Sequence, residues 1–495
     1  MLEKGIITKA EYDTAVSDIG ASTGTHAPDA TSLVVGRWST TIYGFAEADL
    51  INDSTQSFND TAGNAQVMRP NGIPPLTAAQ QNTYGGNHGR TQMSVRNTRL
   101  GLQMRAPESH GIRVSGLVET DFEGYLPSPS ATTGPTQSQF FSSPTLRLRH
   151  AYMKIETPVV DVLIGQYWDL FGWQNVYHPN SVEIQGLPGE LYSRDAQIRL
   201  SHAFRSKPVD VEVAAAIRRP PSEDSQIPEG QGGLRVSLPW WTGVTTIGAT
   251  GTTVMPASLA VTGDIRQFVL PEFSQTPTRS VALTTEAIAL DAFIPGIPQS
   301  RTSSGNALSL TGEFVRGSGI SDLYTGLTMG LTFPTIPNTQ SVEGTALPYP
   351  QDVDNGMVIY GAPPNATTPA ALYAIQLTTF VVGAQYYLPG LSGHVWLSGN
   401  FARTQSGNIA NFTRNPAVPA SGTSTATNGP TDQTISQYGL SGTVRQAENF
   451  FDVNVFWDII SGARLGLEYA NFNDQYVDGV HAINNRFQLS GFFIF

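Results

Sequence analysis

Six arginines in the first half of this sequence have a spacing that would place them on one wall of a β-sheet. In MSVRNTRLGLQM and IRVSGLVETDF, the arginines alternate with apolar residues at every second position. Successive side chains of a strand point to opposite faces, so the two kinds of residue lie on opposite sides. Aligned guanidinium groups attract anions and can bind carboxylates or phosphates bidentately. The predicted wall consists of Arg99, Arg113, Arg147, Arg149, Arg194 and Arg199.

Acidic residues on the same strands give these arginines an alternative role. Glu119 and Asp121 share the face of Arg113, and Asp195 follows Arg194. If the arginines pair with these carboxylates, they hold the wall in shape instead of attracting solutes. The sequence leaves both roles open, and we predict that Glu119 and Asp121 line the same interior as the arginines.

The segment LRLRHAYMKIE breaks the simple alternation. Leu146 and Leu148 fall on the apolar face, but continuing that phase would place His150 and Lys154 there too. We therefore expect either a β-bulge or a position near the membrane interface at this point.

Composition limits the elements that could position these residues. The chain has 495 residues, of which only 14% are charged, and it has no cysteine. No run of about 18 apolar residues occurs, which excludes a transmembrane helix. The net charge of −12 gives a nucleic-acid partner no electrostatic support. Without cysteine, disulfides and zinc–thiolate sites are excluded.

From residue 37 onward, the chain consists of segments of about 10–15 residues in which apolar and polar residues alternate. Short turns and long polar loops connect these segments alternately. This pattern predicts an all-β fold: a transmembrane antiparallel up-and-down β-barrel of about 16 strands. Residues 1–36 are predicted as a periplasmic helical segment with a linker, and residues 37–495 as the barrel. In the middle, strands are predicted near 232–239, 244–254 and 280–294, with PWWTG (239–243) as a turn.

The last ten residues, RFQLSGFFIF, predict the closing strand. Its apolar face would contact lipid through Phe487, Leu489 and Phe493, while Arg486, Gln488 and Ser490 would face the lumen. We expect it to pair with TTIYGFAEADLI near the start, because an open strand edge cannot exist in lipid. Tryptophans near strand ends are predicted to form interfacial girdles, namely Trp38, Trp240, Trp241, Trp396 and Trp457.

The segment 167–192 is rich in aromatic residues, unlike the other long loops. We predict that it folds into the barrel and narrows it. Its acids, Asp169, Glu183 and Glu190, would then oppose the arginine wall and produce a transverse field. The alternative is a lid or a subunit contact in which the acids are solvated.

Several phrases resemble the DcaP-like family of outer-membrane porins. They are TTIYGFAEADLI, NTRLGLQM, LRLRHAYMKIE and DVLIGQYWDLFG, together with the terminal Phe495. The resemblance covers about residues 38–205 and the last strand. It implies a sixteen-stranded trimeric diffusion porin preceded by a periplasmic helical segment. It also implies that Phe495 is the signal by which the assembly machinery recognises the chain.

We therefore predict a bacterial outer-membrane porin that passively conducts small hydrophilic solutes and prefers anionic ones. It would be no enzyme, would need no cofactor or metal, and would contact outer-membrane lipid and lipopolysaccharide as a homotrimer. The start of the chain lacks the layout of a signal peptide, so we expect an exported chain whose signal has been removed. The alternatives are an outer-membrane barrel enzyme, such as a lipase or protease, and a structural or adhesive surface β-protein.

Overall fold

The computed structural model describes most of the chain. The described residues are 32–35, 38–58, 60, 67–71, 82–124, 145–183, 186–222, 225–272, 278–299, 305–325, 358–360, 370–391, 393–412 and 444–495. The predicted helical segment at residues 1–31 lies outside them. Residues Ser32–Val35, which were assigned to the linker region, form a short strand that pairs with the start of the barrel.

Sixteen strands in the described part of the chain form one antiparallel sheet. The second strand is in two pieces, and every other strand is continuous. The strands are β1 Trp38–Asp53, β2 Arg90–Ser94 and Arg99–Arg105, β3 Arg113–Gly124, β4 Thr145–Glu156, β5 Asp161–Trp168, β6 Arg194–Phe204, β7 Asp210–Arg218, β8 Glu229–Thr245, β9 Thr253–Pro271, β10 Ser280–Ile297, β11 Ala307–Ser318, β12 Gln376–Tyr387, β13 Val395–Gln405, β14 Arg445–Ile460, β15 Ala463–Tyr476 and β16 His481–Ile494.

The sheet closes on itself between its first and last strands. β1 pairs antiparallel with β16, from Phe45 opposite Ile494 to Asp53 opposite Arg486. Closure satisfies the backbone groups of both edges, which a lipid environment requires. The predicted fold class, strand number and closing pair are confirmed.

The two faces of the wall differ as the sequence predicts. On β16, the outward Phe487, Leu489 and Phe493 are exposed, whereas Arg486 and Ser490 are fully buried inside. The same alternation continues around the barrel and gives an apolar outer surface with a polar interior.

The ends of the barrel differ in the length of their connections. At one end the strands are joined by short turns, such as 157–160 and 461–462. At the other end lie long connections, such as 319–375 and 406–444. We call these the short-turn end and the long-loop end. In barrels of this type the long loops are extracellular.

The prediction for the middle of the barrel is wrong in its boundaries. PWWTG is not a turn but lies within β8, where the pairing register shifts between Leu238 and Thr242. The turn follows at 246–252, so the strand predicted at 244–254 covers the end of β8, this turn and the start of β9, which extends to Pro271. Pro239 lacks a backbone donor for the sheet and sits at this irregularity, which makes the strand resemble a turn in sequence.

The expected bulge in β4 is present. Glu119 of β3 is opposite His150, but Thr120 is opposite Leu148, so Arg149 is the extra residue. The bulge turns both Arg149 and His150 into the buried interior and leaves Leu146 and Leu148 exposed outside.

Helical structure is sparse. The described helices are Tyr84–Asn87 and the 3₁₀ turns Ser321–Leu323 and Ile409–Phe412. None of the helices in the described part of the chain has the length and apolar character that a membrane crossing requires. A separate two-stranded ribbon, Val358–Tyr360 paired with Leu372–Ala374, belongs to the connection between β11 and β12.

Candidate functional site

The connection between β5 and β6, residues 169–193, crosses the interior of the barrel. We call it the inner loop. Its aromatic and aliphatic side chains are buried, including Leu170, Phe171, Trp173 and Tyr177. Its backbone is held by polar side chains that the strands direct inward. The loop therefore occupies part of the barrel interior and contacts the wall on both sides.

The first half of the inner loop is fixed to β8 and β9. The amides of Leu170 and Phe171 donate to Oε1 of Gln231 at 3.0 and 3.1 Å. The amide of Gly172 donates to Oγ1 of Thr262 at 2.8 Å. Because these side chains alternate with lipid-facing residues, the polar face of each strand forms the support for the loop.

The far half of the loop reaches the strands on the other side of the barrel. The amide of Val182 donates to Oδ1 of Asn454 on β14 at 3.0 Å, and that of Glu183 to Oε2 of Glu468 on β15 at 2.9 Å. Val182 also packs in an apolar cluster with Phe456 and Phe492. Phe492, which points inward from the last strand, thus has an apolar partner.

The three acids predicted to oppose the arginine wall are engaged in holding the loop. Asp169 accepts from Arg218 of β7 at 2.8 Å and from Ser193 at 2.6 Å. Glu183 accepts from Arg486 at 2.8 Å. Glu190 lies 2.6 Å from Nδ1 of His178 and accepts from the Leu187 amide at 2.8 Å. Asp169 and Glu183 therefore attach the loop to the wall, whereas Glu190 bonds within the loop.

Three of the predicted wall arginines share two carboxylates. Arg147 binds Asp121 with two nitrogens, Nε to Oδ1 at 3.0 Å and Nη2 to Oδ2 at 2.6 Å. Arg149 donates to Glu119 at 2.7 Å and to Asp121 at 3.0 Å. Nε of Arg99 lies 3.7 Å from Glu119. The structure thus brings these five residues together, in the pairing that the sequence left open.

Arg113 lies apart from this group. It begins β3 at the short-turn end, where its side chain is 58% exposed and its Nη2 lies 3.6 Å from Glu156. It shares the inward phase of Glu119, but it stands at the rim of the barrel and not beside the other arginines.

Arg194 and Arg199 form no ion pair with any carboxylate in the described part of the chain. The Arg194 guanidinium lies over the rings of Trp168 and Tyr192, at 4.6 and 5.1 Å from their centroids. Arg199 is buried, and its Nε donates to Gln197 at 3.0 Å while its Nη2 donates to the Trp168 carbonyl. We call Arg149, Arg194, Trp168, Tyr192 and Arg199 the arginine–aromatic cluster. Aromatic faces stabilise cations without neutralising their charge.

Carboxylates line other parts of the wall. Asp291 of β10 is directly opposite Glu313 of β11, and both are buried. Neither oxygen of Asp291 or of Asp264 on β9 has a hydrogen-bond partner among the described residues. The interior therefore has a basic region on β4–β6 and a separate acidic region on β9–β11.

Two further arginines, which are not among those predicted from the sequence, form ion pairs with carboxylates inside the barrel. Arg218 binds Asp169, Asp195 and Glu229 at once. Arg266 of β9 reaches Glu229 at 3.0 Å and Asp322 at 2.5 Å. The alternation in VTGDIRQF could have revealed β9, and with it Arg266.

One predicted girdle residue is inside the barrel. Trp396 is fully buried and stacks on Phe456 at 4.0 Å. It is the second residue of β13, and the outward residues of that strand are Leu397 and Phe401, which are exposed. Three other predicted girdle residues, Trp38, Trp240 and Trp457, are exposed in the parts of their strands that lie toward the short-turn end.

The outer loops are joined by an ion pair of their own. Arg69 donates to both carboxylate oxygens of Asp478, at 2.9 and 2.6 Å. These hydrogen bonds hold the pKa of Asp478 below its ordinary value. The contact links the loop after β1 to the turn between β15 and β16.

Comparison with known proteins relates this architecture to solved structures. No family model matches the sequence, and no curated protein matches it. The outer membrane channel DcaP of Acinetobacter baumannii has a similar structure, with a TM-score of 0.57 and 15% identity over 94% of this chain and 100% of that one. The two chains share a closed antiparallel β-barrel fold. The predicted likeness to DcaP is confirmed in the architecture.

More distant structures are barrels as well. OmpT of Vibrio cholerae matches with a TM-score of 0.45 and 9% identity over 94% of this chain and 100% of that one. An anion-selective porin from Comamonas acidovorans matches with a TM-score of 0.44 and 9% identity over 92% of this chain and 100% of that one. The closed barrel with its apolar outer face agrees with the predicted location in a bacterial outer membrane.

Proposed function

We propose that this chain is a passive diffusion channel for small hydrophilic solutes, with a preference for anionic ones. The observation that carries the preference is the pair Arg194 and Arg199, which no described carboxylate neutralises at ion-pair distance. The passage runs between the inner loop and the polar face of the wall. In a channel of this kind, width and lining charge decide which solutes pass.

The arginine–aromatic cluster supports an attractive region for anions. The guanidinium groups of Arg149 and Arg194 lie over the Trp168 ring, and that of Arg199 lies over Tyr167. Of these three arginines, only Arg149 is paired with acids. Where water is partly excluded, the attraction between a fixed cation and a passing anion is stronger than in bulk solution. A solute carboxylate or phosphate would exchange its hydration for guanidinium donors there.

A preference for cations is the second candidate, and the acidic region favours it. Asp264, Asp291 and Glu313 are buried on neighbouring strands. None of the three forms an ion pair with a described residue. Rings of carboxylates attract cations in channels. The two candidates differ in which of the two charged regions borders the conducting path.

Reversal potentials under a salt gradient distinguish these candidates. We compare the wild type with the double variant Arg194→Gln, Arg199→Gln and with the double variant Arg205→Gln, Lys207→Gln. The control removes two positive charges from the exposed short turn 205–209. The proposal expects a shift toward cations in the first variant only. Cation preference in the wild type, reduced by Asp291→Asn, would establish the second candidate instead.

We further propose that the chain is no enzyme and forms a homotrimer in the membrane. The trimer rests on the resemblance to DcaP-like porins alone. Hydrolysis of phospholipid or peptide by the purified protein, lost on changing one serine or histidine, would contradict the first statement. A folded monomer in native mass spectrometry of the detergent-solubilised chain would contradict the second. Absence of conductance would favour the structural or adhesive alternative.

A further inference from the structure

Six consecutive strands carry an aromatic residue on the outer face of the barrel, four to seven residues from the long-loop end of each strand. Phe380 and Phe401 have ring centroids 5.7 Å apart, Phe451 and Tyr469 are 5.9 Å apart, and Tyr469 and Phe487 are 4.9 Å apart. Phe314 is directly opposite Phe380 in the sheet. We call these residues of β11–β16 the aromatic row: Phe314, Phe380, Phe401, Phe451, Tyr469 and Phe487.

The aromatic row marks the level of the membrane interface on this half of the barrel. Toward the short-turn end the outward residues below it are aliphatic, for example Leu310, Val382, Val453 and Leu489. Aromatic girdles lie where hydrocarbon meets the polar headgroups. The residues immediately beyond the row, toward the long-loop end, therefore lie at headgroup level in the outer leaflet.

On each of the six strands, the outward residue two positions beyond the aromatic one is polar. None of the six is acidic. We call them the polar row: Arg316, Thr378, Arg403, Asn449, Asn471 and Asn485.

Hydrogen bonds connect the polar row from strand to strand. Nη1 of Arg403 donates to Oδ1 of Asn449 at 2.9 Å, and Nδ2 of Asn471 donates to Oδ1 of Asn485 at 2.9 Å. The hydroxyl of Tyr469 donates to the same oxygen at 2.9 Å. The row is thus an ordered surface of amide and guanidinium groups, held at a fixed level above the aromatic rings.

The two arginines of this surface have no acidic partner in the described part of the chain. Arg403 donates only to the neutral side chains of Asn449 and Gln405. Arg316 is exposed on β11, and Glu286, which is also exposed on the neighbouring β10, forms no ion pair with it. Two cations on an outer wall at headgroup level complement an anionic lipid.

We propose that the polar row is a docking surface for the phosphorylated sugar headgroup of an outer-leaflet glycolipid. Arg316 and Arg403 bind its phosphates, and the asparagine amides bind its hydroxyl groups. The acyl chains then lie along the aliphatic residues below the aromatic row. This inference concerns the outer wall, so it holds whichever solute passes through the lumen.

Native mass spectrometry of the full chain in neutral detergent tests this inference. The chain is titrated with diphosphoryl lipid A and, separately, with phosphatidylcholine. We expect lipid A to bind tighter, and the double variant Arg316→Gln, Arg403→Gln to lose that advantage by roughly tenfold or more, because both cations that would bind the phosphates are removed. The control variant Arg205→Gln, Lys207→Gln, which removes equal charge at the short-turn end, should bind lipid A like the wild type.

Two results would overturn the inference. Equal loss of lipid A binding in both variants would mean that net charge alone attracts the lipid. Unchanged lipid binding in the Arg316→Gln, Arg403→Gln variant, together with a lower oligomeric state, would assign the row to a contact with a second copy of the chain. Channel conductance measured on the same preparations shows that each variant is folded, and separates this test from that of the proposed function.

Discussion

Arg486 of the last strand binds Asp53 of the first strand through two nitrogens, with Nε–Oδ1 and Nη2–Oδ2 both at 3.0 Å. The pair lies on the seam where β16 meets β1, and both side chains are fully buried. The remaining nitrogen of Arg486 donates to Glu183 of the inner loop. Arg486 therefore contacts both the first strand, at the seam of the barrel, and the inner loop.

Replacing Arg486 with alanine should both destabilise the barrel and release the inner loop. Asp53 and Glu183 would remain buried without their cation, which costs about 3–5 kcal/mol for a broken buried pair. We expect a lower thermal unfolding midpoint and a larger or noisier single-channel conductance. The control Arg205→Ala should change neither. A less stable variant with wild-type conductance would show that Arg486 fixes the seam but not the loop.

Arg218 should be a stronger support of the inner loop than Asp169. Truncating Arg218 to alanine leaves Asp169, Asp195 and Glu229 without a common cation, whereas Asp169→Asn leaves Arg218 with two acids. We expect Arg218→Ala to lower stability by about 3–5 kcal/mol and Asp169→Asn by less. Denaturant unfolding in lipid vesicles provides the comparison. Equal losses of stability in the two variants would contradict the conclusion that Arg218 serves as the common cation for three acids.

Gly165 of β5 should tolerate no side chain. Its φ is +130°, and a Cβ there would lie 2.2 Å from the carbonyl oxygen of Ala151. We expect Gly165→Ala to reduce folding yield or stability by about 1–3 kcal/mol, because both the backbone conformation and the close approach to β4 are lost. Gly116→Ala is the matched control, since its nearest neighbour would be the Tyr152 carbonyl at 3.7 Å. A folded, stable Gly165→Ala variant would refute this account.

Acid should weaken the contact between the outer loops. The pKa of Asp478 is lowered by the hydrogen bonds from Arg69, so the contact is complete above the ordinary aspartate pKa of 3.8 and is lost as pH falls through the lower folded value. The protection factors of residues 67–71 and 477–480, which correct each exchange rate for the intrinsic rate at that pH, should therefore fall on acidification. In Asp478→Asn the protection factors should be low at every pH. Protection that does not change with pH in the wild type would contradict the prediction.

The sequence predicts most of the barrel because the wall is built from local alternation. Lipid outside and polar groups inside impose a period of two on every strand. This period is visible in RFQLSGFFIF, and its interruption in LRLRHAYMKIE indicates an irregularity that the structure shows to be a bulge at Arg149. The signal fails where a strand contains its own irregularity. Pro239 and the adjacent tryptophans interrupt β8, so the pattern ends β8 too early and places the next strand at 244–254 instead of Thr253–Pro271.

The partners of the charged residues could not be predicted in the same way. Arg486 binds Asp53 and Glu183, residues that are far apart in the chain and meet only because the barrel closes. Arg147 and Arg149 pair with Asp121 because β3 and β4 are neighbours, and the sequence could state this only as one alternative. Alternation gives the face of a residue, but its partner depends on register and on the path of the inner loop.

The current through the wild-type chain in a planar lipid bilayer with a potassium chloride gradient decides whether this protein is an anion-preferring channel. We expect stepwise channel insertions with an ohmic conductance and a reversal potential of the sign that chloride preference gives. Protein that inserts without conductance, or a reversal potential of the potassium sign, would contradict the proposal of an anion-preferring diffusion channel.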